Sequence, residues 1–314
     1  VYDWLWSKNL HSIDEMTNLS KDLRERISKE YVINPISVDQ LQKSSDGTIK
    51  NGVKLHDGLL VESVLIPTET RTTACVSSQV GCSLNCEFCA TARLKRMRNL
   101  EVAEIVDQVA LIDQQSKLYF GRPLSNIVFM GMGEPMMNYK NVVDAIKKIT
   151  EPEGLGMSPR RITVSTSGIP KMIKMLAEED LRVKLALSLH SAIEEKRNEI
   201  MPFSDKFPLT EIMQSLQYWY EKTGNIITFE YCVWKGINDK DEDIKALIKY
   251  CKQVPSKVNL IQYNSIGDGK YDQSNPAAME NYVRQLEKNG ITVMIRRSRG
   301  SDIDAACGQL ANKT

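Results

Sequence analysis

Beyond residue 72 the chain alternates two patterns of apolar positions. Short runs rich in β-branched and apolar residues cover 72–76, 126–130, 161–165, 184–190, 226–232, 257–263 and 292–296, and these read as strands. Between them apolar residues recur at helical spacing. Val102, Ile105, Val106 and Val109 form one such face, and Val142, Ala145, Ile146 and Ile149 a second. Leu209, Ile212, Met213 and Leu216, then Ile244, Leu247, Ile248 and Cys251, then Met279, Tyr282, Val283 and Leu286 repeat it. Strand and helix in alternation predict βα units and a parallel sheet. Six or seven units build either a doubly wound sheet or an incomplete βα barrel. Periodicity does not separate the two, and both place ligands at the C-terminal strand ends.

The first 68 residues have a different character. Up to about residue 45, Leu5, Leu10, Ile13, Met16, Leu19, Leu23 and Ile27 are spaced among mixed charges, which predicts short helices. Asp46-Gly47 and Asp57-Gly58 are turn signals, and 48–50 and 59–66 favour strands, so 46–68 reads as an antiparallel hairpin region. We expect an accessory region over 1–68 and a catalytic domain over 69–314.

Composition narrows the class. The 314 residues carry 41 basic and 40 acidic side chains, a net charge of +1, so a strongly basic nucleic-acid binder is excluded while local patches are not. No apolar run approaches the ~20 residues of a membrane span, and no signal peptide opens the chain, so a cytoplasmic location is expected. The chain opens on Val1 rather than Met, and its native start is expected to lie elsewhere.

Seven cysteines are present, and three crowd into Cys82-x3-Cys86-x2-Cys89, directly after the first run of the βα series. Three thiolates on one loop suit a 4Fe–4S cluster with one iron left open. Structural zinc is the alternative, but it wants four protein ligands and the histidines, His11, His56 and His190, are distant in sequence. Gly131-Met132-Gly133-Glu134-Pro135 follows 126–130, so its glycines can let backbone approach a ligand and Glu134 can accept from an ammonium group. Ser165, Ser188, Leu189, His190 and Asn264 lie at or near strand ends, where each polar group could equally cap a turn. Cys232 and Cys251 read as small core residues. Arg93, Lys95, Arg96 and Arg98, then Arg160-Arg161, then Arg296, Arg297 and Arg299 form basic segments, expected to border the active edge and position phosphates.

Several of these motifs occur together in order: Cys75-Val76-Ser77-Ser78-Gln79-Val80-Gly81-Cys82 leading into the cysteine triplet, the Gly131–Pro135 loop, Ile162-Thr163-Val164-Ser165-Thr166-Ser167-Gly168, Ser188-Leu189-His190, and Asp302-Ile303-Asp304-Ala305-Ala306-Cys307-Gly308-Gln309-Leu310. The set resembles the radical S-adenosylmethionine (SAM) RNA adenine methyltransferases of the RlmN/Cfr group, from about residue 10 to the end. The resemblance implies an incomplete (βα)6-type radical SAM barrel, an α/β fold, with an N-terminal helical and β-hairpin accessory region. It implies a 4Fe–4S cluster on Cys82, Cys86 and Cys89, with SAM bound by Gly133, Glu134, Ser165, Ser188, Leu189, His190 and Asn264.

The same resemblance assigns the remaining chemistry. Cys307 takes a methyl group from one SAM, a second SAM supplies the radical that activates it, and Cys75 releases the product through a transient disulfide. Glu62, which by its alternating strand alone would be a surface residue, takes the ring proton. The implied substrates are an adenine of 23S rRNA at the peptidyl-transferase centre and an adenine beside the anticodon of tRNA. An electron donor such as flavodoxin and a monomeric, membrane-free state are implied as well. Carbon 2 is the expected position; carbon 8, a zinc-stabilised RNA-binding protein, and a radical SAM enzyme with a protein or small-molecule substrate are the competing readings. Two departures stand out. Lys95 and Arg96 occupy places where the family often has Gly-Phe, and the helical N-terminal region is short, so weaker RNA affinity than that of an intact protein is expected.

Overall fold

The computed structural model describes residues 1–6, 8–10 and 12–312. It opens with helices α1 (Tyr2–Trp6) and α2 (Lys21–Glu30), followed by strands β1 (Ser37–Lys43), β2 (Ile49–Lys54), β3 (Leu60–Pro67) and β4 (Thr72–Cys75). A small pair, β5 (Gln79–Val80) and β6 (Arg98–Asn99), brackets the cysteine triplet. Then come α3 (Val102–Phe120), β7 (Asn126–Phe129), α4 (Tyr139–Thr150), β8 (Ile162–Thr166), α5 (Pro170–Glu178) and β9 (Lys184–Ser188). The chain continues through α6 (Glu194–Ile200), α7 (Leu209–Thr223), β10 (Ile227–Val233), α8 (Asp241–Cys251), β11 (Ser256–Gln262), α9 (Pro276–Lys288) and β12 (Thr292–Arg296).

The main sheet has the order β1-β2-β3-β4-β7-β8-β9-β10-β11-β12. Pairs from β1 to β4 are antiparallel, and every pair from β4 to β12 is parallel. The parallel strands advance in one direction without a reversal, which is the order of an incomplete barrel; a doubly wound sheet reverses. Right-handed crossovers in one direction put the connecting helices on one face. The opposite face is left to line a lumen, and all parallel strands end at one rim.

The strands of the βα series agree with the apolar runs to within two residues at each end. Two helices escaped the periodic reading. α5 begins on Pro170 and is nine residues long, while α6 is a seven-residue, highly charged segment that buries only Arg197 and Ile200. The expectation of helices up to residue 45 is corrected at β1, because the Asp46-Gly47 turn lets 37–43 pair antiparallel with β2. The hairpin strands are fastened to the barrel by more than ladder bonds. Asn51 of β2 and Gln115 of α3, both buried, exchange two side-chain hydrogen bonds of 3.0 and 2.7 Å. No described helix is long and apolar enough to cross a membrane.

Replacing Asn51 by Leu should cost about 1–3 kcal/mol, because it strands the Gln115 amide in the core. The double variant Asn51→Leu/Gln115→Met should recover most of that loss. Urea unfolding of the three proteins checks this, and strictly additive losses would refute the pairing argument.

Candidate active site

The cysteine triplet sits on an excursion closed at its base by β5 and β6. Gly81 starts it at φ +73°, and a Cβ there would meet the Lys95 carbonyl oxygen at 2.4 Å, so the two arms of the loop touch backbone to backbone. Asn85, at φ +54°, turns the chain between Cys82 and Cys86, and the Cys89 amide donates to the Cys86 carbonyl at 3.1 Å. Burial pushes Cys82 up to about 11 and raises Cys86 and Cys89 also; each thiolate disfavours another, and Arg197 partly offsets this at Cys86. Among the described residues no three His, Cys, Asp or Glu side chains are arranged to hold a single metal ion. Such convergence is what zinc needs, whereas a cluster takes one thiolate at each of several irons. Three free thiols that bear on one another fit a 4Fe–4S cluster with an open iron.

Beside this loop the strand ends gather polar groups. Glu134 follows β7, is buried, and accepts from the Met136 amide at 3.0 Å and the Ser167 amide at 2.8 Å; burial raises its pKa. Gly133 takes a left-handed backbone conformation at φ +91°. The space a Cβ would take there is filled by Gln79, 2.5 Å away, so this glycine allows close packing of the Glu134 loop on β5. Ser165 and Ser188, on neighbouring strands, have hydroxyls 3.5 Å apart. Leu189 is fully buried, and its amide donates to the Glu230 carbonyl.

His190 is placed at this rim, yet its imidazole is already engaged. Nδ1 accepts from the Cys232 amide at 3.1 Å, and the ring meets Phe88 of the cysteine loop edge-on at 4.8 Å. Burial, with the Arg197 charge nearby, pushes His190 down to about 3, so it is neutral at physiological pH. Its side chain therefore anchors the cysteine loop and the end of β10.

Arg197, on the short helix α6, was not singled out by sequence and no periodic signal marks it. It is fully buried and donates to the carbonyls of Ser167 at 2.5 Å and Leu189 at 3.2 Å. Its Nη1 has no hydrogen-bond partner within the protein. A buried carboxylate, two serine hydroxyls and an unpaired guanidinium nitrogen form a donor set of both signs, which fits the ammonium and carboxylate of an amino-acid moiety.

The C-terminal loop closes over this rim. Asn264 donates to the Cys307 carbonyl at 3.3 Å, and Ala90, next to Cys89, donates its amide to the Gly308 carbonyl at 2.7 Å. Thr91 donates its hydroxyl to the Leu310 carbonyl at 2.6 Å, and Gln309 donates to the Ser265 carbonyl at 3.0 Å. Cys307 is thereby close enough to influence the ionisation of Cys75, Cys89, Cys232 and Arg296. Cys75 ends β4, is buried, and is pushed up to about 12 by burial and by Cys307, with Arg296 opposing. Glu62 is not on the surface. It is buried on β3, ion-paired to Lys50 at 3.1 Å, and accepts from the Ala311 and Asn312 amides at 2.7 and 3.1 Å.

The basic segments are corrected. Arg160 and Arg161 precede β8 and lie at the N-terminal end of the strands, away from the rim. Arg98 is occupied by Glu104 and Asp57, and Arg93 by Asp268 at 2.9 Å. Arg296 points inward, 3.3 Å from the Met130 sulfur and 3.7 Å from Glu230, and its protonated form is favoured by Cys307 first. Lys95 and Arg297 are exposed, and Lys95 lies on the outer arm of the cysteine loop. Lys50, Arg197 and Arg296 are the residues that sequence reasoning missed or misplaced, because nothing in a strand or helix pattern distinguishes an inward cation from an outward one.

The sequence pattern of the Radical SAM superfamily matches residues 76–248, and that of the ribosomal RNA large subunit methyltransferase N-terminal domain matches residues 1–33. The chain is 67% identical over 313 residues to a protein of Flavobacterium psychrophilum named probable dual-specificity RNA methyltransferase RlmN, and the match covers all of this chain and 90% of that protein. A protein of the same name from Christiangramia forsetii is 66% identical over 314 residues, 89% of its length. The crystal structure of a radical SAM methyltransferase from Sphaerobacter thermophilus superposes with a TM-score of 0.94 at 36% identity, covering 98% of this chain and 91% of that one.

The buried, neutral His190 has a pH signature. Its folded pKa of about 3 lies below the ordinary value of 6.5, so the unfolded chain binds a proton that the folded chain refuses. The stability it contributes is present above pH 6.5 and is lost as pH falls through this window toward 3, by up to about 1.4 kcal/mol per pH unit. His190→Gln removes that slope. Urea unfolding between pH 7 and 4 should show the wild type losing stability faster than the variant, and parallel curves would contradict the assignment.

Proposed function

Because the chain belongs to the radical SAM superfamily and within it to the RlmN-type RNA methyltransferases, we propose that it methylates carbon 2 of one adenine in 23S rRNA and one in tRNA, adenines 2503 and 37 respectively. The cluster and SAM, when bound, supply both the methyl group and the radical chemistry that an unreactive ring carbon requires. Everything else falls to side chains of this chain. One observation carries the reading: the loop bearing Cys307 is stitched to the cysteine loop through Ala90 and Thr91, with Cys75 and the Arg296 guanidinium facing it.

In this reading Cys82, Cys86 and Cys89 hold the cluster. Glu134 takes the ammonium of SAM, the Ser165 and Ser188 hydroxyls and Arg197 Nη1 take its polar groups, and Asn264 holds the carrier loop through the Cys307 carbonyl. Gly133, Leu189 and His190 shape the rim around them. Cys307 carries the methyl group on sulfur, which requires its thiolate as the nucleophile. Glu62 accepts the proton of the ring carbon. Once the unpaired electron left by radical addition has passed to a one-electron acceptor, Cys75 gives up its proton and forms an S–S bond to Cys307 as the S–C bond to the product breaks; the bonding pair leaves with carbon, which takes up a proton to complete the methyl group, and a dithiol reductant restores both thiols. The adenine reaches the lumen unstacked from its RNA. Two SAM molecules per methyl transferred would supply the methyl group and the radical, and a low-potential electron donor would serve the second.

Mass spectrometry of rRNA and tRNA fragments after anaerobic turnover tests substrate and position together. Only 2-methyladenine is expected; 8-methyladenine as the sole product would overturn the choice of carbon. In the same assay Cys307→Ala should drop RNA methylation by at least about a hundredfold, the scale on which loss of a nucleophile acts, while SAM cleavage persists. Full methylation by that variant would remove the carrier role.

A further inference from the structure

The Lys50–Glu62 pair has no role in holding the cluster, and a buried ion pair is not a cheap way to join two strands. Lys50 of β2 and Glu62 of β3 lie diagonally across the ladder, because Gly52 is the residue directly opposite Glu62. Lys50 leans over that gap to bring Nζ within 3.1 Å of Oε1, with both side chains almost wholly excluded from solvent. Both partners then reach the same distant segment. Lys50 Nζ lies 3.5 Å from the carbonyl oxygen of Asp304, three residues before Cys307. Glu62 Oε2 accepts from the amides of Ala311 and Asn312, four and five residues after it.

We propose that this ion pair is a clamp on both flanks of the Cys307 loop, with Lys50 as its positioning residue. The functional consequence rests on the reading of Cys307 as the methyl carrier and Glu62 as the proton acceptor. Other charged groups around this segment are committed elsewhere: Asp302 to Ser44 and Ser45, and Asp46 to the Gly300 amide and Arg299. Those contacts hold the start of the segment, and Asn264, Ala90, Thr91 and Gln309 hold its middle. The Lys50–Glu62 pair alone engages both sides of Cys307 through one charge pair. When Glu62 gains the ring proton it loses the charge that holds Lys50 and that draws the two amides. The flanks loosen at the step in which Cys307 has to meet Cys75, so proton transfer and release of the carrier are coupled.

The test reads the accessibility of Cys307 in the cluster-reconstituted full chain, by mass spectrometry of the Cys307 peptide during iodoacetamide alkylation. Glu62→Gln keeps the shape and an acceptor oxygen but removes the charge, and should speed alkylation of Cys307 roughly tenfold while leaving the buried Cys251 unchanged. Lys50→Met should do the same. That variant leaves a buried unpaired carboxylate, so Lys50→Met/Glu62→Gln, with no stranded charge, keeps the test decidable if the single variant does not fold. In turnover, Lys50→Met should cleave SAM but yield several-fold fewer methylated bases per SAM cleaved, and Lys50→Arg should restore the ratio. Wild-type alkylation of Cys307 in folded Glu62→Gln and in the double variant would overturn the clamp. If alkylation speeds up as expected but Cys307→Ala still methylates RNA fully, the clamp stands and the carrier reading falls.

Discussion

The constraint on which the rest depends is that the parallel strands never reverse direction across the sheet. From β4 to β12 each new strand adds to the same edge, so each crossover returns its helix to the same face and each strand delivers its last residues to the same rim. Cys75, Glu134, Ser165, Ser188, Asn264 and Arg296 are separated by up to 221 positions in sequence, yet all six stand at or just beyond strand C-termini. The hairpin strands extend the sheet on the β4 side and run antiparallel, which is how Glu62 and Lys50 can face a rim built from parallel strands. The C-terminal loop follows β12, at the far end of that progression, and must cross the open side of the incomplete barrel to reach the cysteine loop. Its many tethers, from Asn264, Ala90, Thr91 and Glu62, are the structural answer to that crossing.

A second physical theme is polarity left unspent. Buried polar atoms in a finished core are paired. Arg197 Nη1 at this rim and Asn259 Oδ1 on β11 are buried without hydrogen-bond partners, although Asn259 Nδ2 donates to Glu230 at 2.8 Å. These atoms do not mark a failed core. Arg197 is held rigidly by the carbonyls of Ser167 and Leu189, so its free nitrogen has a fixed direction before any ligand arrives. Preorganisation of that kind reduces the ordering cost of binding.

What the sequence made legible follows from which signals are local. The βα alternation, the hairpin turns at Asp46-Gly47 and Asp57-Gly58 and the cysteine triplet are patterns within a few residues, and all are found where they were read. The choice between barrel and doubly wound sheet was not legible, because strand order is a property of crossovers rather than of any strand. The burial of Glu62 was hidden for a related reason: an alternating strand tells which residues share a face, not whether another segment covers it. Residues 304–312 supply that cover from 242 or more positions away. The basic segments were misjudged on the same ground. Arg98 has two carboxylates as partners, Arg296 turns inward, and Arg160-Arg161 stand at the wrong end of β8, facts that a charge count cannot contain.

The cysteines illustrate how environment, rather than residue type, divides labour. Cys75 and Cys232 are both buried and both close enough to Cys307 to be affected by its charge. By proximity alone either thiol could meet Cys307. Their surroundings differ in sign. Cys75 has the Arg296 cation working against the cost of its burial, whereas Cys232 has only a backbone amide, and its thiol is driven far above the ordinary range. Its own amide is tied to His190, which fixes the end of β10 against the cysteine loop. A thiol that must lose its proton while attacking sulfur is better served beside a guanidinium than inside an aromatic cluster. This asymmetry supports Cys75 as the second thiol and leaves Cys232 as packing, on electrostatic grounds independent of any motif.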